Sequence, residues 1–480
     1  MVAATARLDD LLLFTDADWR FTERKLIVDQ DFSQSIINQL PMNQLCTRFT
    51  LFFLSCLFGP FLHGQDTTAP WQEDQRVGKR FEVSIESLPE PYTGPQARNS
   101  PVTKPRNGAM PQLPAGFSAT LYAENLTHPR QVLVLPNGDV LLACQRPGYL
   151  MLMRDDDGDG RADWIQRHAA GFNGPYGLAH RDGELLVADQ DGIWTIGYDT
   201  GLLRPPFAQP RPASEVPPSD RQPGKYMDGQ QLITEKGVFG IVQGHANRDL
   251  EIGPDGRLYV GVGTAGNIGV EPEPKITIQS FSASGGNQKT VASGMRNPCG
   301  LAIHPETGKL WAVVQERDGL GDSLVPDYLT EVVEGGFYGF PYSYLGSHPQ
   351  PGFADRAPEK VASAIVPDVL FRSHSAAMDV VFYDGDMFPA EYRGDAFVAM
   401  KGSWNRSEPL GPRVARVKFE NGKPVGWYEN FMTGFWNSGD DKAEVWGRPA
   451  DVATAPDGAL FVVDETAGAI WRVTYTGPAD

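Results

Sequence analysis

The chain of 480 residues is poor in cysteine, in histidine and in positive charge. It contains 4 cysteines and 8 histidines, and its 42 lysines and arginines stand against 60 aspartates and glutamates, for a formal net charge of −18. Nucleic acid is therefore not an expected partner, because a phosphate-binding surface needs clustered lysine and arginine. The sequence has no Cys-x-x-Cys-His motif, which excludes a covalently attached c-type haem. Any anionic ligand must be held by a local group of basic residues.

Long apolar runs are also scarce, and the clearest one spans residues 49–62. It follows Met42 and Arg48 and precedes small and polar residues, which is the pattern of a secretory signal peptide. The run is too short to predict a membrane span. We therefore predict a leader over residues 1–65 with its true start at Met42, a secreted or periplasmic protein, and no membrane span in the mature chain. A short helix in a cytosolic protein is the alternative.

Without that leader two cysteines remain, Cys144 and Cys299. They allow at most one disulfide, and the sequence leaves its formation open. Residues 66–113 are rich in proline, charge and amides, and we interpret them as a linker or an extended lead-in.

Glycine and proline, by contrast, are abundant, with 52 and 39 residues, and they predict many turns rather than long helices. From residue 114 onward one pattern recurs, in which an apolar strand leads into a glycine turn and a second strand follows. The six turn glycines are Gly138, Gly183, Gly256, Gly308, Gly385 and Gly458. Asn-Gly and Asp-Gly pairs between alternating apolar residues are typical of β-hairpins. The repeat predicts an all-β fold over residues 114–480, a six-bladed β-propeller of four-stranded antiparallel blades, with a β-sandwich carrying insertions as the alternative.

A short polar segment, here called a tip, lies about ten residues ahead of each turn glycine. The six tips are residues 127–131, 172–177, 244–249, 295–300, 373–378 and 446–451, and five of them contain histidine or arginine. In a propeller this is where the chain enters the innermost strand, so we expect the tips to converge at one end of the central channel. A ring of cations in an acidic protein suits a compact anionic ligand. The alternative is that the tips are polar only because they contact water.

Three longer runs carry a resemblance to a known family. They are ERDGLGDSLVPDYLTEVVEGGFYGFPYSY at 316–344, FPAEYRGDAFVAMKGSWNR at 388–406 and NPCGLAIHPETGKLWAVV at 297–314. With them the sequence resembles the glucose/sorbosone dehydrogenase family, and the sorbosone branch more closely than the soluble glucose branch. The resemblance covers about Pro114 to Tyr475 and implies a secreted six-bladed propeller that uses pyrroloquinoline quinone.

The resemblance also assigns roles to individual residues. His245 matches the catalytic base of the family. Arg296 and Asn297 match the pair that contacts the quinone carbonyls and carboxylates, so Arg296 is expected to act in both catalysis and cofactor binding. Lys401 matches a lysine that contacts a cofactor carboxylate, and Arg448 matches an arginine at the start of the last blade.

His374 is a candidate because it lies in a tip, where it could line the cofactor or substrate cavity or stabilise a neighbouring loop. Two further positions follow from the resemblance. Two positions after Arg448 the glucose branch has a second arginine, whereas this chain has Ala450, which makes the expected pocket less cationic at one corner. The calcium ion that bridges cofactor and protein is held in the family largely by backbone carbonyls, and the matching loop contains Arg317 and Asp318.

The chemistry implied by the resemblance is consistent with these residue types. Pyrroloquinoline quinone is a tricarboxylate and needs arginine or lysine and a divalent ion to stay bound. A histidine with an ordinary pKa of about 6.5 suits removal of a hydroxyl proton, while calcium and Arg296 would polarise the quinone carbonyl. The expected substrate is a small sugar or aldehyde, and the electrons would pass to an external acceptor. A calcium-dependent hydrolase of the lactonase kind and a non-catalytic extracellular binding propeller remain alternatives.

A second candidate metal site is the segment RDDDGDGRADWIQ. Asp155, Asp157, Asp159 and Asp163 match ligand positions of an EF-hand-type calcium loop. Gln166 stands where a bidentate glutamate is needed, so binding would be weak. A solvated acidic hairpin is the alternative.

Five other residues are less specific candidates. His128, Arg130 and Arg248 lie in tips, where each could line the channel or stabilise a neighbouring loop. Trp404 and Tyr342 lie in predicted loops, where an aromatic ring could stack on a sugar or on the quinone, although aromatic residues in propellers more often belong to the core.

Overall fold

The structure is a computed structural model that describes residues 69–198 and 230–477. The predicted leader over residues 1–65 lies outside the described residues. Helices are few and short in the described ranges, and none is long and apolar enough to cross a membrane. The helical segments are the α-helices Pro70–Asp74 and Pro358–Ser363 and the 3-10 helices Ile85–Ser87, Ala354–Arg356 and Ala390–Tyr392.

Within the described residues, six sheets contain four or five strands each, and we number them in chain order. Sheet 1 consists of Pro129–Val134, Val140–Cys144, Tyr149–Arg154 and Trp164–Ala170. Sheet 2 consists of Gly177–Arg181, Glu184–Ala188, Ile193–Gly197 and Gln231–Leu232. Sheet 3 consists of Leu250–Ile252, Leu258–Val262, Thr277–Phe281 and Lys289–Ser293, with Gly336–Phe337 added in parallel.

The other three sheets follow the same antiparallel order. Sheet 4 consists of Asn297–Ile303, Leu310–Gln315, Tyr328–Glu331 and Val369–Leu370. Sheet 5 consists of Ala377–Phe382, Ala396–Met400, Arg413–Glu420 and Lys423–Met432, with Arg80–Phe81 at its edge. Sheet 6 consists of Pro449–Thr454, Leu460–Asp464, Ala469–Tyr475 and Phe117–Ala123. The remaining strands, Val102–Thr103, Trp436–Ser438, Glu444–Val445, Ser343–Tyr344 and His348–Pro349, form two small sheets.

The six predicted hairpins are confirmed. Each predicted turn glycine lies between the first and second strands of one sheet. Gly138 and Gly458 both have φ of +85°, which glycine adopts without strain. Each predicted tip lies directly before, or runs into, a first strand.

Apolar clusters fill the space between successive sheets, and the series closes on itself. The second strand of sheet 1 shows the reason, since its side chains alternate between two faces. Leu141 and Ala143 pack against sheet 2, whereas Val140 and Leu142 pack against sheet 6. Equivalent clusters join sheets 2 to 3, 3 to 4, 4 to 5 and 5 to 6.

The chain closes this ring with a strand from its N-terminal side. Phe117–Ala123 pairs with Ala469–Tyr475 and so completes the last sheet with an early segment. The result is a closed ring of antiparallel sheets, consistent with a β-propeller and not with the two face-to-face layers of a β-sandwich.

A belt of hydrogen bonds links the first strands around the centre of the ring. In four sheets a side chain at one equivalent position accepts the main-chain N–H of the next sheet's first strand, over 2.5–3.2 Å. The acceptors Gln131, Asp249, Asp379 and Asp451 pair with the N–H groups of Leu178, Leu301, Val452 and Val132, respectively. Each bond fixes the height of one sheet relative to the next.

Glycine occupies the same position in the other two sheets. A side chain at Gly177 would overlap Leu250, and one at Gly300 would overlap Asp379. The first strand of sheet 2 therefore lies close to that of sheet 3 at Gly177, and the first strand of sheet 4 lies close to that of sheet 5 at Gly300. The Gln131 amide also reaches the Asp249 carboxylate, which joins sheet 1 to sheet 3.

Asp379 and Asp451 in this belt hydrogen-bond to one another. Burial, together with the proximity of two acids, raises the pKa of both carboxyl groups well above the usual range. The pair therefore keeps a proton to higher pH than an ordinary carboxyl group would.

The segment before the ring packs onto sheet 5 through a buried ion pair. The Asp74 carboxylate lies 2.6 Å from Nη2 of Arg413 and accepts the N–H of Gly411 at 2.9 Å. Further along, Arg80–Phe81 extends the edge of sheet 5, and the main chain of Gln112 pairs with Thr433.

Replacing Asp74 with alanine should lower the free energy of unfolding by about 3–5 kcal/mol, because Arg413 would be left buried without its partner. Denaturant unfolding of the purified protein measures this change. The matched control is Glu73→Ala, whose exposed side chain forms surface ion pairs with Arg76 and Lys79 and should matter far less. Equal effects of the two substitutions would contradict the structural role assigned to Asp74.

The stability of the variant Asp379→Asn relative to the wild type should increase progressively as the pH rises above the ordinary carboxyl pKa of about 4. The folded wild type must keep a proton that the unfolded chain releases above its ordinary pKa, so wild-type stability falls with rising pH. An amide can donate to Asp451 and accept from Val452 without titrating. The difference should grow by up to about 1.4 kcal/mol per pH unit in urea unfolding. The exposed substitution Asp182→Asn is the control, and a pH-independent difference would contradict the shared proton.

Candidate functional site

Two sets of loops meet at one end of the ring. The tips lead into the first strands there, and because successive strands are antiparallel, the loops between second and third strands return to the same end. These returning loops are residues 145–148, 189–192, 263–276, 316–327, 401–412 and 465–468. We call this end the mouth.

Hydrogen bonds connect neighbouring tips across the mouth. Asn247 of the third tip donates to the Pro298 carbonyl of the fourth at 3.0 Å. Gln315 accepts from Asn297 at 3.2 Å and donates to the Ala377 carbonyl of the fifth tip at 2.9 Å. The predicted site residues of these tips therefore share one end of the molecule.

The imidazole of His245 is fixed in one tautomer. Its Nδ1 lies 3.0 Å from the Thr264 carbonyl and 2.9 Å from the Thr264 hydroxyl, which itself donates to Gly266. A carbonyl can only accept, so Nδ1 carries the hydrogen and Nε2 presents its lone pair. Burial and the positive charge of Arg296 lower the pKa of His245 to about 3. The residue is a neutral base at physiological pH.

Arg296 is held by uncharged acceptors. Its Nε and Nη2 donate to the carbonyl and side-chain oxygens of Asn267 at 3.0 and 3.2 Å, and Nη1 donates to the Glu316 carbonyl at 2.9 Å. Asn267 also bonds both the N–H and the carbonyl of Asp318. The guanidinium is thus fixed beside the predicted calcium loop, and none of these acceptors neutralises its charge.

Asn297 lies beside His245 with one atom unused. Its Nδ2 donates towards Cys299 Sγ and Gln315 Oε1, while its buried Oδ1 has no hydrogen-bond partner among the described residues. Gly263 lies between Asn297 and His245, where any side chain would collide with both. The absence of a side chain at this position lets the third and fourth tips approach.

His374 joins the fifth tip to the predicted calcium loop. Its Nε2 lies 3.0 Å from the Gly321 carbonyl, and its Nδ1 lies 3.3 Å from the Asp318 carboxylate and 3.1 Å from Nδ2 of Asn405. Burial favours neutral His374, but the hydrogen bond and charge of Asp318 outweigh it, and the pKa of the histidine is raised. His374 therefore holds this loop in place.

Lys401 lies with two less specific candidates, Arg130 and His128, around one carboxylate, and Arg448 bonds the main chain of Lys401. The Lys401 ammonium contacts Glu465, whose carboxylate also lies 2.8 Å from Nη1 of Arg130 and 3.3 Å from Nδ1 of His128. Arg448 donates to the Lys401 carbonyl at 2.8 Å. Burial and the cations Arg130 and Arg448 lower the pKa of Lys401 well below its usual range.

Four residues of the mouth were not predicted from the sequence. They are Asn267, Gln315, Asn405 and Glu465. All lie at the end of a second strand or in the loop that follows one. Lys401 directly follows the second strand of sheet 5, as Glu465 follows that of sheet 6. An alignment of the six repeats at the position of Lys401 would therefore have identified Glu465 as the equivalent residue of sheet 6.

The three remaining candidates, Arg248, Trp404 and Tyr342, differ in burial and in the residues that they contact. Arg248 is buried and donates to the carbonyls of His245 and Asn247 at 3.1 and 2.6 Å, so it supports the loop that carries the candidate base. Trp404 is 41% exposed beside Asn405. The Tyr342 ring packs against Phe337, and its role in stacking stays a prediction.

The acidic loop lies at the opposite end of the ring. It joins the third and fourth strands of sheet 1, so strand direction places it away from the mouth. Asp155, Asp157 and Asp159 bring carboxylate oxygens within 4.8 Å of one another, and Asp163 accepts the N–H of Asp157 at 3.2 Å. Calcium binding here stays a prediction, and these aspartates cannot join the chemistry at His245.

In the cofactor-free protein, the His245 imidazole should stay neutral, with hydrogen on Nδ1, from pH 8 to about pH 4. Nitrogen NMR of histidine-labelled protein reports the tautomer and the titration. Arg296→Gln removes one cause of the lowered pKa and should move the midpoint upward. A wild-type titration with a midpoint near pH 6.5 would contradict the assigned environment.

Comparison with known sequences gives a family model and a relative that covers most of the chain. The TrAA12-like family model matches residues 348–476. An uncharacterized protein of Borreliella burgdorferi is 30% identical over 374 residues, which cover 76% of this chain and 90% of that protein.

Two solved structures share the fold at low identity. Carbohydrate-active enzyme family AA12 of Trichoderma reesei aligns with a TM-score of 0.60 and 17% identity, covering 79% of this chain and 100% of that one. The holo pyranose dehydrogenase PQQ domain of Coprinopsis cinerea aligns with a TM-score of 0.58 and 17% identity, covering 80% and 98%. Together these relationships lead to one conclusion: the chain belongs to the same family as the Borreliella burgdorferi protein and shares the fold of the AA12 enzyme and of the pyranose dehydrogenase PQQ domain.

Proposed function

We propose that this protein is a secreted dehydrogenase that oxidises a sugar or an aldose-type aldehyde with pyrroloquinoline quinone as its cofactor. The observation that carries the proposal is the pairing of a neutral histidine, which presents its Nε2, with a guanidinium whose hydrogen-bond acceptors among the described residues are all uncharged oxygen atoms. These groups are His245 and Arg296, and they share the mouth with Lys401 and Arg448. The holo PQQ domain with the same fold supports the choice of cofactor.

The residues at the mouth fit a tricarboxylate. Arg296, Lys401 and Arg448 are donors of charge-assisted hydrogen bonds, which are the strongest that carboxylates accept. The unpartnered Oδ1 of Asn297 is an acceptor for an N–H or O–H group of a ligand. We assign these four residues to cofactor binding, with His374 in the wall beside them.

The loop that contains Arg317 and Asp318 is the proposed calcium position. Calcium prefers oxygen ligands, and this loop offers main-chain carbonyls together with the Asp318 carboxylate, which is 30% exposed. Asn267, Asn405 and His374 hold the loop without enclosing it.

The chain's own part in the reaction centres on one proton. Nε2 of His245 takes the hydroxyl proton of the substrate, while Thr264 holds Nδ1–H and so keeps the tautomer. Arg296, fixed by Asn267 and Glu316, stabilises negative charge that develops nearby. Bound pyrroloquinoline quinone would supply the hydride-accepting group.

Three further parts of the proposal concern the whole molecule. Each of the six sheets is one blade of a six-bladed propeller. The leader directs export to a secreted or periplasmic location. An external acceptor takes the electrons, because the chain has no c-type haem motif.

The lactonase alternative is less well supported by the mouth. In the described ranges, Asp155, Asp157 and Asp159 are the one cluster of three or more such side chains that could hold a metal together, and they lie at the other end. The mouth offers arginine and lysine instead.

His245→Asn should reduce dye-linked oxidation of aldoses by about 100-fold or more, because general-base catalysis contributes about 10²–10⁴-fold. Binding of pyrroloquinoline quinone, measured by equilibrium titration with calcium present, should survive the substitution. The control is His180→Asn, on the first strand of sheet 2.

Two results would contradict the proposal. Failure of the wild type to bind the quinone at micromolar concentration would remove the cofactor assignment and favour a binding propeller. Full activity of His245→Asn with bound quinone would remove the base assignment. A panel of lactones tested in parallel detects the hydrolase alternative.

A further inference from the structure

Glu465 lies against three basic side chains of the mouth and forms ion pairs with two of them, Lys401 and Arg130. One carboxylate oxygen contacts Lys401 and lies 2.8 Å from Nη1 of Arg130, and the other lies 3.3 Å from Nδ1 of His128. The side chain is 16% exposed, so water and ligands can reach it. No function assigned above uses this residue.

Positive charge exceeds negative charge around Glu465. Arg130 and Arg448 are close enough to act on Lys401, and Arg448 itself donates only to the uncharged carbonyls of Lys401 and Gly402. Burial, Arg146 and Arg130 lower the pKa of His128 to about 4, so this histidine adds little charge at neutral pH. Two carboxylates, Glu465 and the buried Asp464, therefore stand against the three cations Lys401, Arg130 and Arg448, which leaves room for a further anion.

A ligand carboxylate at this corner would meet Lys401 and Arg130 with part of their hydrogen-bonding capacity already used by Glu465. The N–H groups of Lys401 and Arg130 that point to Glu465 cannot serve two carboxylates fully, and two carboxylates side by side repel each other. The main chain at Glu465 is anchored, because its N–H donates to the Arg448 carbonyl and the Asp464 carboxylate accepts the Arg448 N–H. The Glu465 side chain can therefore change its position while the backbone stays in place.

We propose that Glu465 is an internal counter-ion that occupies the place of a ligand carboxylate in the free protein and is displaced when the anionic ligand binds. The inference rests on the proposed cofactor site and adds a regulatory element to it. Glu465 neutralises the buried cations while the site is free and weakens binding by competing for them. Glu465 therefore lowers the affinity for the ligand but raises the stability of the free protein.

Glu465→Gln tests this opposition. The variant should bind pyrroloquinoline quinone roughly 10- to 100-fold more tightly than the wild type, the range expected for releasing charged hydrogen-bond donors. Its melting temperature without ligand should be lower, since Lys401 and Arg130 lose their counter-charge. Equilibrium titration and thermal unfolding of the full-length protein measure the two effects. The control is Glu444→Gln, a glutamate paired with Lys104 outside the mouth.

Two further variants keep the outcome decisive. In a Lys401→Gln background, Glu465→Gln should bring little or no gain in affinity, because the released donor is missing. If Glu465→Gln does not fold, Glu465→Asp, whose shorter side chain reaches fewer of the cations, should show a smaller gain in the same direction. Unchanged or weaker quinone binding by Glu465→Gln would overturn the proposal and make Glu465 a support for Lys401.

The experiment separates this inference from the proposed function. If neither the wild type nor the variant binds the quinone, the cofactor assignment fails and citrate, a different tricarboxylate, becomes the probe. A larger citrate-dependent rise in melting temperature for Glu465→Gln than for the wild type would still support displacement. Equal rises would overturn it.

Discussion

The hydrogen bonds of the central belt are the constraint on which the rest of the structure depends. A ring of sheets closes only if every sheet keeps its height relative to the next, and apolar packing alone fixes height poorly because it is not directional. Asp249, Asp379 and Asp451 each tie one first strand to the N–H of the next, and Gln131 does the same for sheet 1. Buried carboxyl groups are costly unless hydrogen-bonded, so their presence at one equivalent position shows what the ring requires.

The belt also explains why the mouth can hold charge. Because the first strands are fixed just below the tips, loops from different sheets meet at defined distances, and their carbonyls become the acceptors for buried cations. Arg296 is solvated in this way by Asn267 and Glu316, and Arg448 by the carbonyl groups at the start of the 401–412 loop. Neutral acceptors replace water around each guanidinium but leave its charge available to an anion. Glu465 differs from these neutral acceptors because it places a carboxylate directly against Lys401 and Arg130.

The sequence predicted the hairpins and tips because their signals are local. Asn-Gly and Asp-Gly turns, period-two apolar patterns and polar tips depend on neighbouring residues, and the structure contains each of them. The partners of the site residues depend on loops that are distant in the chain. Asn267 carries no local signal, yet it fixes both Arg296 and Asp318. Lys401 was expected to face a ligand, and its contact with Glu465, 64 positions away, depends on how sheets 5 and 6 meet.

One consequence of this geometry is a coupling between ligand binding and base strength. The pKa of His245 is lowered by burial, which the fold fixes, and by the charge of Arg296, which an anion can offset. A histidine whose pKa is about 3 is a weak base, although its free Nε2 is correctly presented. An anion against Arg296 would offset the second cause, while burial, the larger cause, stays in place. Ligand binding at Arg296 and the proton affinity of His245 are therefore coupled through one guanidinium.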